Sequence, residues 1–172
     1  MLQYLVRYDL TLCLWLNRAG DAGWIRASFR LVSRLGDGAF WYVLMLMLPL
    51  IFGHAGLMAS AHMLAVGVIG LVIYKWTKQR TARPRPYSVL QAIRLGMDPL
   101  DQYSFPSGHT LHAVGFTLVA IQYFPLLAWI LVPFALLVAA SRVVLGLHYP
   151  TDVLCGAVIG AVLALGPVVW LG

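Results

Sequence analysis

Ser141-Arg142-Val143-Val144-Leu145-Gly146-Leu147-His148-Tyr149-Pro150-Thr151-Asp152 is a polar run wedged between two apolar segments. Two shorter runs precede it, Lys78-Gln79-Arg80-Thr81-Ala82-Arg83-Pro84-Arg85-Pro86 and Pro106-Ser107-Gly108-His109. Together the three carry cations, a hydroxyl, two imidazoles and a carboxylate, and the sequence around them is apolar. Where these runs lie relative to a membrane decides the fold.

Of the 172 residues 61% are hydrophobic and only 10% charged, too little polar surface to cover a soluble globule of this size. The length argues for one domain. A spanning helix needs roughly 20 apolar residues, so about four to six crossings would use almost the whole chain and leave no room for a large soluble domain. The predicted fold is an all-α integral membrane helical bundle, a single domain over 1–172. Residues 1–36 form one or two interfacial helices, and 37–172 hold about five transmembrane helices. A cleavable leader is not expected, because Arg7, Asp9, Asn17 and Arg18 interrupt the first twenty residues.

Taken in order, 2–18 read as a moderately amphipathic helix lying at the interface or packed on the bundle. Residues 22–35 repeat the style, with Arg26, Arg30 and Arg34 four apart on one face turned to headgroups. Gly36-Asp37-Gly38 breaks the helix. Spans are predicted over 39–52, 57–76, 109–123, 126–147 with an interruption at Pro133, and 150–171. Short turns fall at 53–56 and 124–125. With that count, 77–108 and 147–150 emerge on one side and the two turns on the other, so all three polar runs meet at one membrane face.

The formal charge is +6, and Lys75, Lys78, Arg80, Arg83, Arg85 and Arg94 lie in one segment. Charge alone fits a cytoplasmic loop or a patch on anionic headgroups. All six acidic residues are Asp, with no convergent carboxylate cluster of the kind that holds Mg²⁺. A metal-free mechanism with no cofactor is therefore expected. His112 stands one turn from His109 in a zinc-like spacing but lacks a third ligand. His54 and His62 have no acidic neighbour and read as packing residues or backbone hydrogen-bond partners. Gly156 and Gly160 make a GxxxG spacing suited to close helix packing. Cys13 and Cys155 are far apart in apolar sequence and carry no redox information.

A phosphate monoester brings close to two negative charges and three strong acceptors. Lys78 and Arg85 are seven apart, which in a helix would set both on one side before Pro86 ends it. Arg142 offers a planar fork for bidentate contact. Ser107 can cap the helix that follows while backbone N–H groups near Gly108 face an anion. His109 then stands beside the bound phosphate as general acid to the leaving oxygen. His148 and Asp152 are four apart, so the carboxylate can reach one ring nitrogen and leave the other to attack phosphorus, with a phosphohistidine intermediate as the consequence. Each piece also has an ordinary structural reading: an ion pair, a helix cap, a snorkelling arginine. Their convergence at a single membrane face favours the chemical one.

The pattern Lys, six residues, Arg-Pro, then Pro-Ser-Gly-His, then Ser-Arg, five residues, His, three residues, Asp resembles the signature of the type 2 phosphatidic acid phosphatase superfamily. It is met by Lys78 with Arg85-Pro86, by Pro106 to His109, and by Ser141-Arg142, His148 and Asp152. The resemblance implies metal-independent hydrolysis of a phosphate or diphosphate ester. It also implies that Lys78, Arg85, Ser107, Gly108 and Arg142 hold the phosphate, with His109 as acid, His148 as nucleophile and Asp152 as its orienting partner. The short chain and the Gly-Leu-His-Tyr-Pro-Thr-Asp run are similar to bacterial members acting on undecaprenyl diphosphate, phosphatidylglycerophosphate or lipid A. That implies a multi-pass protein of the bacterial inner membrane with its site facing the periplasm. Vanadium haloperoxidases share the motifs in soluble proteins, and the hydrophobicity here argues against that branch.

The expected partners are a lipid phosphate and the bilayer, with no nucleic acid. A non-catalytic membrane scaffold or polyanion-binding member of the same fold is the competing class. A transporter is a weaker one, because the charges cluster at one face and not at mid-membrane. No motif names the headgroup or the tail, and residues 87–105 and the N-terminal helices are the places where such selectivity would reside.

Overall fold

The computed structural model describes the backbone of residues 2–171 and the side chains of residues 7–166. Every regular element among them is helical: α1 (Leu2–Ala19), α2 (Gly23–Gly36), α3 (Ala39–Thr81), α4 (Pro86–Val89), α5 (Gly108–Tyr123), a 3₁₀ turn (Pro125–Leu127), α6 (Ala128–Val144) and α7 (Pro150–Leu171).

Helix α3 is an antiparallel hairpin. Gly53 adopts φ 55° and ψ −129°, outside any helical region, and the Ser60 hydroxyl donates to the Met45 carbonyl at 2.7 Å. Fifteen residues of straight helix would hold those atoms about 22 Å apart, so the chain must double back. The turn expected over 53–56 thus shrinks to one glycine. The arms then touch backbone to backbone, since a Cβ on Gly56 would lie 2.0 Å from the Leu48 carbonyl oxygen. The GxxxG pair does the same between α7 and α5: Cβ atoms on Gly156 and Gly160 would lie 2.5 and 2.3 Å from the carbonyl oxygens of Ser107 and Leu111. The pair therefore serves packing within the chain.

Trp41, Met63, Phe116, Leu131 and Val138 fill the core. Outward faces are apolar too, with Leu50 of α3 72%, Trp129 of α6 83% and Val158 of α7 62% exposed. Such a surface needs a covering of lipid. Within Ala39–Val89 and Pro125–Val144 lie 18-residue windows with mean hydropathies of 2.1 and 2.2, long and apolar enough to cross a membrane.

Three local expectations change. Helix α6 passes through Pro133 without interruption, although the proline lies inside it and has no N–H to give the helix ladder. The helix stops at Val144, not Leu147. Gly146 takes φ 73°, its N–H reaches Val143 O at 2.9 Å and that of Leu147 reaches Arg142 O at 3.0 Å, a Schellman motif that throws His148 out of the helix line. Lys78 and Arg85 do not share a helix face. Helix α3 ends at Thr81 and Arg85 is extended at φ −78°, ψ 152°, because residues before Pro84 and Pro86 are pushed out of the helical region.

Helices α1 and α2 are tied to the bundle. Asn17 Nδ2 donates to the carbonyls of Arg94 and Val144, both at 2.9 Å. Arg26 and Arg30 of α2 donate to the carbonyls of Gly20 and Gly96, so part of the arginine face expected at headgroups is spent inside the protein.

Candidate active site

Residues of all three polar runs come together. One cavity of about 310 Å³ is lined by Lys78, Arg85, Gly108, His109, Arg142 and His148 at its polar end, and by Met45, Leu64, Val68, Leu71 and Phe116 at its apolar end. Lys78 comes from the last turn of α3, Arg85 from the cap of α4, Gly108 and His109 from the first turn of α5, and Arg142 from the last turn of α6. His148 stands in the link to α7. Ser107 and Asp152 lie just behind the lining, and both are fully buried.

Ser107 caps α5, accepting from Thr110 N at 3.5 Å and sharing a hydrogen with the Thr110 hydroxyl at 2.9 Å. Its own N–H donates to Asp152 O at 3.0 Å, which locks the start of α5 onto α7. The α5 N-terminus beside it presents backbone N–H groups and the positive end of the helix dipole.

His148 is held differently from expectation. Its Nδ1 lies 2.6 Å from the Ser104 carbonyl, whereas Asp152 Oδ2 is 3.7 Å away. A carbonyl only accepts, so Nδ1 carries the proton and Nε2 keeps its lone pair. The single Nδ1 proton is given to the Ser104 carbonyl and not to Asp152, whose Oδ1 accepts from Arg83 at 2.6 Å and Oδ2 from Tyr149 N at 2.9 Å. Burial first, and then Arg142, Arg85 and Lys78, press the His148 pKa well below the usual imidazole value. The ring is neutral at pH 7.

The cations have partners of their own. Arg85 donates from Nη1 to Leu147 O at 2.8 Å and from Nε to Asp101 O at 3.0 Å, and Nη1 lies 3.4 Å from His148 Nε2. Asp101 bridges Arg85 Nη2 at 2.8 Å and Lys78 Nζ at 2.5 Å. Arg142 donates from Nη1 to the Ser33 hydroxyl, while its buried Nε has no hydrogen-bond partner. His109 Nε2 is paired with Asp37.

Five residues at or behind the site were not singled out by sequence reasoning. Asp101, Ser104, Ser33 and Asp37 lie in segments with no readable motif. Arg83 does carry a signal, the doubled Arg-Pro of residues 83–86. It bridges Asp9 at 2.7 Å and Asp152 at 2.6 Å and stacks on the Tyr149 ring at 4.0 Å. Of the remaining histidines, His112 sets its ring nitrogens against the carbonyls of Gly108 and Gly67 at 2.9 and 3.2 Å. His62 packs on Tyr123 with a centroid distance of 6.1 Å, and His54 is exposed.

The sequence profile of the PAP2 superfamily matches residues 56–172, which contain all eight candidate site residues but not Ser33 or Asp37. An undecaprenyl-diphosphatase of Sulfolobus acidocaldarius is 34% identical over 95 residues, 55% of this chain and 46% of that protein. The Bacillus subtilis undecaprenyl-diphosphatase BcrC is 31% identical over 125 residues, 71% of this chain and 63% of that one. The chain thus spans about half to just under two thirds of the length of these relatives. Among solved structures, Aquifex aeolicus LpxE superposes with a TM-score of 0.79 at 26% identity, covering 92% of this chain and 93% of its own. A PAP2-type phosphatidylglycerolphosphate phosphatase of Bacillus subtilis superposes with a TM-score of 0.68 at 25% identity, covering 90% and 82%.

Proposed function

The chain belongs to the PAP2 superfamily, and from that premise we propose that it hydrolyses a membrane lipid phosphate or diphosphate through a phosphohistidine intermediate. The observation that carries this reading is the placement of His148, held at Nδ1 by a carbonyl and lining one cavity with Lys78, Arg85 and Arg142.

In the first step His148 Nε2 forms a bond to phosphorus while the phosphorus–oxygen bond to the leaving group breaks. The leaving oxygen keeps the electron pair and takes a proton from His109. In the second step His109 accepts a proton from water, the water oxygen bonds to phosphorus, and the phosphorus–nitrogen bond breaks to release inorganic phosphate. Lys78, Arg85, Arg142 and the N-terminus of α5 hold charge that would otherwise build on the phosphoryl oxygens. Asp152, 3.7 Å from Nδ1, balances the positive charge the ring acquires when phosphorylated.

The apolar end of the cavity, from Met45 to Phe116, suits a lipid tail while the phosphate sits at the polar end. The two arms of α3 with α5, α6 and α7 would make five crossings, and the site would open to the periplasm, outside the inner membrane. The curated relatives make undecaprenyl diphosphate a leading candidate substrate, and the structural neighbours add lipid A and phosphatidylglycerophosphate.

The deciding experiment is phosphate release by detergent-solubilised protein over those three lipids and phosphatidate, with EDTA present. Release from one or more, abolished in His148→Ala with the thermal midpoint retained, is the expected result. No release from any of the four sinks the reading in favour of a polyanion-binding scaffold.

A further inference from the structure

Two of the three cations at the polar end are already engaged by a carboxylate of the same chain. Asp101 sets one oxygen 2.5 Å from Lys78 Nζ and the other 2.8 Å from Arg85 Nη2. Both cations are buried, at 6% and 2% exposure, whereas the Asp101 side chain is 35% exposed. It lies on the irregular segment between α4 and α5. Arg85 Nε also holds the Asp101 backbone carbonyl at 3.0 Å, so the residue stays tethered beside the cations whether or not its carboxylate is seated. It shares the cavity with His109 and His148. A phosphate reaching His148 must therefore meet this carboxylate.

We propose that Asp101 is a specificity-determining residue: its carboxylate competes with the ligand for Lys78 and Arg85, admitting terminal phosphates and turning away phosphodiester headgroups. The proposal rests on the phosphatase reading above, because it takes Lys78 and Arg85 to be phosphate ligands. A phosphodiester brings one negative charge and two unsubstituted oxygens, no more than the carboxylate offers. Its opponent is tethered, with an effective concentration in the millimolar range or higher, so a ligand of equal charge loses. A terminal phosphate brings close to two charges and three acceptors. It can take both cations from Asp101 and still have an acceptor left for Arg142, which lines the same cavity. The discrimination is needed because most lipids around the cavity are phosphodiesters, and specificity is set as much by what opposes the wrong ligand as by what welcomes the right one.

The test uses the full chain in detergent, with inorganic phosphate and dimethyl phosphate as probes of the two charge classes. Apparent affinity is read from the rise of the thermal unfolding midpoint with concentration. Wild type is expected to respond to phosphate and hardly at all to dimethyl phosphate. In Asp101→Asn and Asp101→Ala the same competitor is removed from both ions, so both should bind more tightly and dimethyl phosphate should rise into the range where it shifts the midpoint. Asp101→Glu, which keeps the charge, should return the weak dimethyl phosphate response of wild type. Unchanged affinity for both ions, or weaker phosphate binding in Asn and Ala alike, would overturn the proposal by showing that Asp101 organises the cations without competing for them. Phosphate release by wild type from the lipid panel separates the two ideas: release with unchanged affinities removes only the role of Asp101, whereas no release and no phosphate response removes the phosphatase reading itself.

Discussion

The Nδ1 atom of His148 and the carbonyl oxygen of Ser104 lie 2.6 Å apart, and this contact, not the Asp152 carboxylate at 3.7 Å, sets the tautomer of the ring. In a triad where the carboxylate itself fixes the tautomer, replacing it by the amide costs about 10⁴ in turnover. Here Asp152→Asn removes a charge near the ring and leaves the carbonyl in place. Turnover is expected to fall by about a hundredfold or less, as for loss of one stabilising electrostatic contact. Steady-state rates of phosphate release decide it, and an effect equal to that of His148→Ala would put the carboxylate back in command.

Arg83 is the only arginine or lysine side chain paired with Asp9 and Asp152 among the described residues, and the two carboxylates are 4% and 0% exposed. Arg83→Met should leave both without their cation and lower stability by about 3 kcal/mol, the usual scale for breaking a buried ion pair from one side. Thermal unfolding in detergent measures this. A midpoint within a degree of wild type would mean that the network contributes nothing.

The pH dependence should show two windows. Burial pushes the Asp101 carboxyl up, but Lys78 and Arg85 more than reverse it and hold it below the usual carboxylate value. A depressed acid stabilises the fold above its unfolded pKa of about 3.9 and loses that contribution as pH falls through the lower folded value. Acid unfolding of Asp101→Asn should lack this segment. The depressed His148 likewise adds stability that is whole above its unfolded pKa of about 6.5 and declines below it. For the same reason kcat/KM should stay flat on the acid side down past pH 6.5, because the free enzyme keeps Nε2 unprotonated. An acid limb of kcat/KM centred at 6.5 would contradict the burial argument.

Gly156→Ala and Gly160→Ala place a methyl group 2.5 and 2.3 Å from backbone oxygens of α5. Those oxygens belong to the helix and cannot rotate aside, so α7 must shift away from α5. Overpacking of this kind costs about 1–3 kcal/mol. Gly156→Ala should also reduce phosphate release disproportionately, since the oxygen it strikes is that of Ser107, the cap of α5 beside His109. Equal activity in the two variants at matched stability would count against that coupling.

Much of the bundle was legible in the sequence because hydrophobic runs and glycine breaks are local signals. The reversal at Gly53 and the break at Gly36 to Gly38 follow from them, whereas the GxxxG spacing signalled close packing without naming α5 as its partner, and Lys78, Arg85, His109, Arg142 and His148 line one cavity. The partners of those residues were not legible. Asp101 reaches Lys78 and Arg85 along a segment with no periodicity, and Ser104 acts through a backbone atom that every residue type possesses. The helix expected to join Lys78 to Arg85 failed at the two prolines, whose local veto outweighs the seven-residue spacing.

Ser33 of α2 and Asp37 of the connection after it reach Arg142 and His109 from ahead of the stretch matched by the family profile. The proposed reaction centre therefore draws on two separate parts of the chain. A change at Ser33 or Asp37 would bear on the proposed acid and on one guanidinium while the carbonyl that holds the His148 ring stays in place.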